Sequence, residues 1–185
     1  MAFRRNRASN KIKVARGGAA DERPVSEKSP RERVMTAALR MISSRSYSEG
    51  QLRERLLAKH SAEVELIEEC IKRLKEMGYV NDDAFARNYA NSRLRSKPVG
   101  RARLALELAM KKVAPTRISE ALDAVFGEVA EETLIDQAIG RRIRTHGRPS
   151  DQAASKRMFD HLARLGFEYD LIIRKLRALK SGDRG

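Results

Sequence analysis

Three histidines, one cysteine and a pair of aspartates are the residues from which this chain would build reactive chemistry. They would supply a metal centre, a nucleophile or an acid–base couple. Their spacing supports none of these. His60, His146 and His161 are scattered, with no HExxH-type pair, and each reads as a surface or capping residue. Cys70 shares a helix face with Ile67, Ile71 and Leu74 and reads as a small half-buried apolar residue. Asn81-Asp82-Asp83 follows Gly78-Tyr79-Val80 and precedes Phe85. That is the pattern of a helix start, where an asparagine caps and the dipole favours acids in the first turn. There is no P-loop, no GxGxxG after a strand and no GxSxG. The expectation is a non-enzymatic protein without cofactor or metal.

The basic residues are more informative. Among 185 residues, Lys and Arg number 39 against 25 Asp and Glu, a net charge of +14, and charged residues make up 35%. A globular chain usually carries about 25%. The excess is uneven: residues 31–84 balance, whereas residues 85–127 hold nine basic residues against three acids. Arg93, Arg95, Lys97, Arg101 and Arg103 flank the turn Pro98-Val99-Gly100, and Lys111 follows on the next helix. Arg141, Arg142 and Arg144 form a second cluster. These nine are the candidate partner-binding residues, and the partner they fit is a polyanion, either nucleic acid or a protein assembled on it. The plainer alternative is a set of ordinary solvated arginines. Aromatics are only 5% and Trp is absent, and Phe85 and Tyr89 read as core, so recognition of single-stranded bases is disfavoured.

No run of about 18 apolar residues occurs, and the N-terminus has no apolar core of the signal-peptide kind. One cysteine permits no internal disulfide. A reducing, cytoplasmic setting without membrane contact is expected. No long heptad seam appears, so a monomer is expected.

The elements that must carry these residues are helices. Ser29-Pro30-Arg31-Glu32 combines a capping serine, proline at the first helical position and glutamate at the third. Ser48-Glu49-Gly50-Gln51 repeats the pattern, Ser61 is placed to open a third helix, and Gly78 to end it in the left-handed conformation. The same apolar skeleton returns twice. Leu52 and Leu56 recur as Leu104 and Leu108, then as Met158 and Leu162; Ile67, Ile71 and Leu74 recur as Ile118, Leu122 and Val125, then as Ile172, Leu176 and Leu179. Each copy follows a helix ending near an arginine: Arg45, Arg95 and Arg144. No segment alternates with period two. The fold class predicted is all-α: three tandem three-helix repeats at 29–81, 82–127 and 128–180, forming an elongated, curved, solenoid-like body. Three short helices bury a thin core, so each unit should lean on its neighbour. Residues 1–28, rich in arginine and lysine without an apolar period, are expected to be a disordered basic arm, and 181–185 a flexible tail. Each repeat contains two short helices joined by a tight turn, so a helix-turn-helix-like protein acting directly on DNA is the alternative reading.

The stretch Gly78-Tyr79-Val80-Asn81-Asp82-Asp83-Ala84-Phe85-Ala86 resembles the signature of the RecX regulatory protein family. The likeness continues through Arg93, Gly100, Arg103, Glu107-Leu108 and Lys111. It extends back to Ala38-Leu39 and Ser48…Leu52, and forward to Lys156, Leu162 through Phe167, Tyr169-Asp170 and Ile172. The resemblance implies a protein that binds the RecA recombinase, lodges in the groove of the RecA–DNA filament and contacts more than one protomer. It implies inhibition of ATP hydrolysis, strand exchange and filament growth, and so a role in recombination and DNA repair. Two positions depart from the family pattern. Lys112, followed by Val113, stands in the place of a glycine that usually follows the lysine, so the helix cap there is expected to differ in shape. Arg164-Leu165 replaces a pair of arginines before Gly166-Phe167, so one basic contact is expected to be missing.

Overall fold

The computed structural model describes residues 28–181; the basic arm and the last tail residues fall outside the described residues. Among the described residues there are nine helices and no strand. They are α1 (Pro30–Ser44), α2 (Glu49–Leu57), α3 (Val64–Glu76), α4 (Asp82–Ser96), α5 (Arg101–Met110), α6 (Pro115–Glu128), α7 (Glu131–His146), α8 (Gln152–Arg164) and α9 (Tyr169–Ser181).

The caps explain most boundaries. Ser29 accepts from the Glu32 amide at 3.3 Å while its own amide donates to the Glu32 carboxylate at 2.8 Å, a reciprocal box with Pro30 at the first helical position. Ser48 accepts from the Gln51 amide, and Asn81 from the Ala84 amide at 2.9 Å with Asp82 and Asp83 in the first turn. The Ser61 start is corrected: α3 begins at Val64. Glu63 donates its amide back to the His60 carbonyl and gives its own carbonyl to Ile67, so the chain makes one turn before the helix begins.

Three helices end in the same left-handed cap. Gly78 at φ +74° and Gly166 at φ +85° close α3 and α8. Lys112 closes α5 at φ +61°. Its amide bonds to the Ala109 carbonyl and that of Val113 to Leu108, the bonds that Gly166 and Phe167 make to Ala163 and Leu162. The expected change of shape at Lys112 does not occur. The chain keeps the glycine geometry and accepts the strain of a β-carbon in it.

Packing groups the helices in threes. The helix pairs in extensive contact are all within α1–α3, within α4–α6 or within α7–α9. The recurring skeleton is the core of each group. Leu52, Leu56, Leu104, Leu108, Met158 and Leu162 are buried, as are Ile67, Ile71, Leu74, Ile118, Leu122, Val125 and Ile172. Only Leu176 and Leu179, near the end of α9, remain partly exposed. Burying each such side chain contributes on the order of 1.5–3 kcal/mol. The groups form a serial, solenoid-like body whose apolar interior is in two parts. One part belongs to α1–α3 and Val80; the other runs without a break through α4–α9.

The groups are joined twice by the same device. At the second joint the Gly100 amide donates to the Leu165 carbonyl at 2.9 Å, and the Arg101 amide to the Glu131 carboxylate at 3.1 Å. At the first, the Ser48 hydroxyl donates to the Lys111 carbonyl, and the Glu49 amide to the Asp82 carboxylate at 2.7 Å. In each case a residue capping the second helix of one group meets the carbonyl just before a left-handed cap. The next amide then meets a carboxylate that opens the following group. Burial pushes the carboxyls of Asp82 and Glu131 up, only partly offset by these amide bonds.

Candidate partner-binding surface

The turn between the candidate basic residues is not itself free to bind. Pro98, Val99 and Gly100 are all buried. A β-carbon on Gly100 would lie 2.5 Å from the Phe167 nitrogen and closer still to the Gly166 carbonyl, so only glycine lets these backbones meet. The turn is the joint between the second and third groups, and the arginines around it divide according to what holds them.

Arg93, Arg101 and Arg103 are engaged by carboxylates. Glu107, itself buried, receives the Arg93 guanidinium at 3.0 Å, that of Arg103 at 2.8 Å and the Tyr89 hydroxyl at 3.0 Å. Burial pushes the Glu107 carboxyl up, but the bonds from Arg103, Arg93 and Tyr89 outweigh it and hold it below the usual range. Arg101 meets Asp123 at 2.6 Å. Lys111 sits over the Tyr89 ring, 4.5 Å from its centroid. Arg141 reaches across the joint to the Ser96 carbonyl at 3.3 Å. Arg95, Lys97, Arg142 and Arg144 carry no ion pair to a described carboxylate, and Arg95, Lys97 and Arg144 are exposed.

Two cavities gather part of this second set. One, of about 270 Å³, opens between the end of α4, α7 and α8, with Lys97, Arg141, Arg142 and His161 on its walls. The other, of about 170 Å³, lies against α7 and the start of α8, with Arg142, His146, Arg148 and Arg157. Arg142 lines both, and no carboxylate lines either. The Arg141–Ser96 bond and the Gly100–Leu165 bond hold α4 against α7 and α8, which brings Lys97 and Arg142 to one wall. His161 registers the result. Burial lowers its pKa, and Arg142, Lys97, Arg164 and His146 lower it further. The chemistry such a set of cations could meet is that of a phosphate oxygen.

The sequence had no signal for His161 as a wall of this cavity, because α8 reaches it only through the fold. Nor did it show that Tyr47, Tyr79, Phe85 and Tyr89 line one groove of about 480 Å³ between the first two groups. Phe85 and Tyr89, expected in the core, are half-buried; they pack against the core and also line that groove. Cys70 is buried and its thiol is pushed up by burial, against a nucleophilic role. Among the described residues, no cluster of three or more His, Cys, Asp or Glu is placed to hold a metal ion. No described helix is long and apolar enough to cross a membrane.

Comparison with known proteins agrees with this architecture. A family profile described as RecX, second three-helix domain, matches residues 81–122, which run from the α4 cap into α6. A regulatory protein RecX of Pelodictyon phaeoclathratiforme is 36% identical over 78% of this chain and 88% of its own. One of Syntrophotalea carbinolica is 32% identical over 75% and 90%. The crystal structure of RecX from Lactobacillus salivarius shares the fold, with a TM-score of 0.70 over 82% of this chain and 97% of that one, at 18% identity. The chain therefore belongs to the RecX family of regulatory proteins.

Proposed function

We propose that this protein regulates the RecA recombinase without catalysing a reaction of its own. It lies in the groove of the RecA–DNA filament and inhibits ATP hydrolysis, strand exchange and filament growth, in the cytoplasm and as a monomer. The units that do this are the three groups at 29–81, 82–127 and 128–180. The observation that carries the reading is the likeness to RecX proteins over about three quarters of this chain and nearly nine tenths of theirs. The geometry supports it. A serial body with two equivalent joints presents similar surfaces at regular intervals, and a helical filament offers equivalent sites at regular intervals. Contacts to successive protomers then add by multivalency. Within the candidate set, Arg95, Lys97, Arg142 and Arg144 are the residues available to the filament or its DNA. Arg93, Arg101 and Arg103 serve by holding the joint and the α4–α5 corner.

The test is DNA-dependent ATP hydrolysis by the cognate RecA, with this protein added substoichiometrically after filaments have formed. A progressive fall in rate is expected. The double variant K97E/R142E should lose most of the inhibition while keeping its helical spectrum and melting temperature. A second reading, a helical module that binds DNA without RecA, is favoured by one observation, the carboxylate-free cavities around Arg142. An unchanged ATPase rate alongside tight, salt-sensitive DNA binding by this protein alone would select that reading instead.

A further inference from the structure

The groove between the first and second groups lies outside the basic surface described above. Its walls come from the end of α1, the α1–α2 turn, the Gly78–Asn81 turn, one face of α4 and the end of α5. Four of the chain's nine aromatic residues line it: Tyr47, Tyr79, Phe85 and Tyr89. Tyr79 is 59% exposed, an aromatic face left in water beside a concave surface. Two cations share the groove and sit against the rings. The Arg45 guanidinium lies 4.3 Å from the Tyr47 centroid, and the Lys111 ammonium 4.5 Å from that of Tyr89. Gln51 and Asn88 add amide groups to the lining, and no carboxylate is among the lining residues.

We propose that this groove binds single-stranded polynucleotide, stacking bases on Tyr79 and Tyr47 while Arg45 and Lys111 meet the phosphates. Aromatic faces and cations on one concave wall are what a single strand requires. Bases of every identity have a π-face, and the backbone carries one negative charge per nucleotide. A duplex cannot fill the groove in this way, because its base faces are already stacked. An acidic peptide would satisfy the cations but make no use of the rings. The amides can meet base edges of any identity, so the preference is for unpaired bases rather than for a sequence. The scarcity of aromatics along the chain hid this site; the fold gathers nearly half of them in one place. The inference does not rest on RecA, since it concerns the free protein and a strand.

The test uses the full-length protein and a fluorescein-labelled oligothymidylate, followed by anisotropy, beside an abasic strand of equal length and the matching duplex. Tyr79→Leu and Tyr47→Leu should each weaken oligothymidylate binding roughly five- to a hundredfold. They should leave the abasic strand and the duplex unchanged, and Tyr79→Phe should restore binding. Normal affinity for oligothymidylate in both leucine variants would overturn the proposal. So would an equal loss on the abasic strand, or polyglutamate competing as well as oligothymidylate. A second measurement needs no variant. A strand carrying 5-bromouridine, irradiated with the wild-type protein, should crosslink to Tyr47, Tyr79, Phe85 or Tyr89, and crosslinks confined to other residues would equally refute it.

Discussion

Replacing Lys112 by glycine should stabilise the protein. Lys112 holds φ +61° in a cap whose counterparts are Gly78 and Gly166, and a β-carbon in that conformation costs about 1–2 kcal/mol. Two terms oppose the gain. Glycine loosens the unfolded chain, worth about 0.4–1 kcal/mol. The lysine also forfeits its pair with Glu54, which at 3.7 Å between two exposed side chains contributes about 0.5 kcal/mol at most. At the middle of each range the terms leave a gain of about 0.5 kcal/mol, or a melting temperature about 1–2 °C higher for a chain of this size. Calorimetry of K112G decides it, and an unchanged or lower melting temperature would refute the argument. A double-mutant cycle sharpens the test. A β-carbon on Gly50 would lie 2.5 Å from the Lys112 β-carbon and 2.6 Å from its carbonyl oxygen. Gly50→Ala should therefore cost less in the K112G background, where one of the two clashes is gone, than in the wild type. Strict additivity would show that the two residues do not press on each other in solution.

Gly100→Ala should lower stability by about 2–4 kcal/mol in urea denaturation, because the new methyl meets main chain that cannot move aside and the Gly100–Leu165 bond is lost; a loss under about 1 kcal/mol would refute the close approach. Glu107→Gln should cost about 1–3 kcal/mol at neutral pH, since Arg93 and Arg103 lose their shared charge. The folded-state carboxyl lies below its unfolded value, so the wild type holds this stability above the ordinary carboxylate range and loses it as pH falls through the lowered value; the variant's deficit should shrink towards low pH in urea melts. Burial lowers the pKa of His161 and Arg142 and Lys97 lower it further, so a phosphate bound beside it should raise that pKa and draw in a proton. DNA affinity measured by anisotropy should thus rise as pH falls from about 7.5 to about 6, and His161→Asn should flatten that slope.

The helices and their grouping were legible because they depend on local chemistry and on a recurring apolar skeleton. Ser29, Ser48 and Asn81 cap as their positions imply, and Leu52, Leu104 and Met158 take equivalent core places. Ser61 misled because a good capping residue does not start a helix while the preceding turn still holds the amide of Glu63. The site was legible only as a set of charges. Which cations are held and which are available depends on partners that the fold supplies: Asp123 for Arg101, Glu107 for Arg93, and the Ser96 carbonyl for Arg141. None of these pairings has a fixed spacing to search for. Lys112 illustrates the converse. Its departure from glycine was visible, but the wrong consequence followed, because the bonds from Lys112 and Val113 to Ala109 and Leu108 impose the backbone whatever the side chain.

The two joints use one geometry but different chemistry, and the difference bears on what each can bind. At the second joint, main chain meets main chain at Gly100 and Gly166, and the apolar core passes through it unbroken. At the first, a serine hydroxyl replaces the Gly100 amide, and the cores on either side are separate. Both joints press a glycine against the left-handed cap, Gly100 on Gly166 and Gly50 on Lys112, but opening the second also exposes apolar surface, whereas opening the first otherwise breaks polar bonds that water can replace. The basic cavities lie beside the stiffer joint and the aromatic groove beside the softer one. Charges that must match a fixed phosphate spacing gain from a rigid mount, because preorganised donors lose less entropy on binding. Ring faces that must accept bases of different size gain from a mount that yields. The order of rigidity along the array thus matches the order of tolerance its two candidate ligand chemistries require.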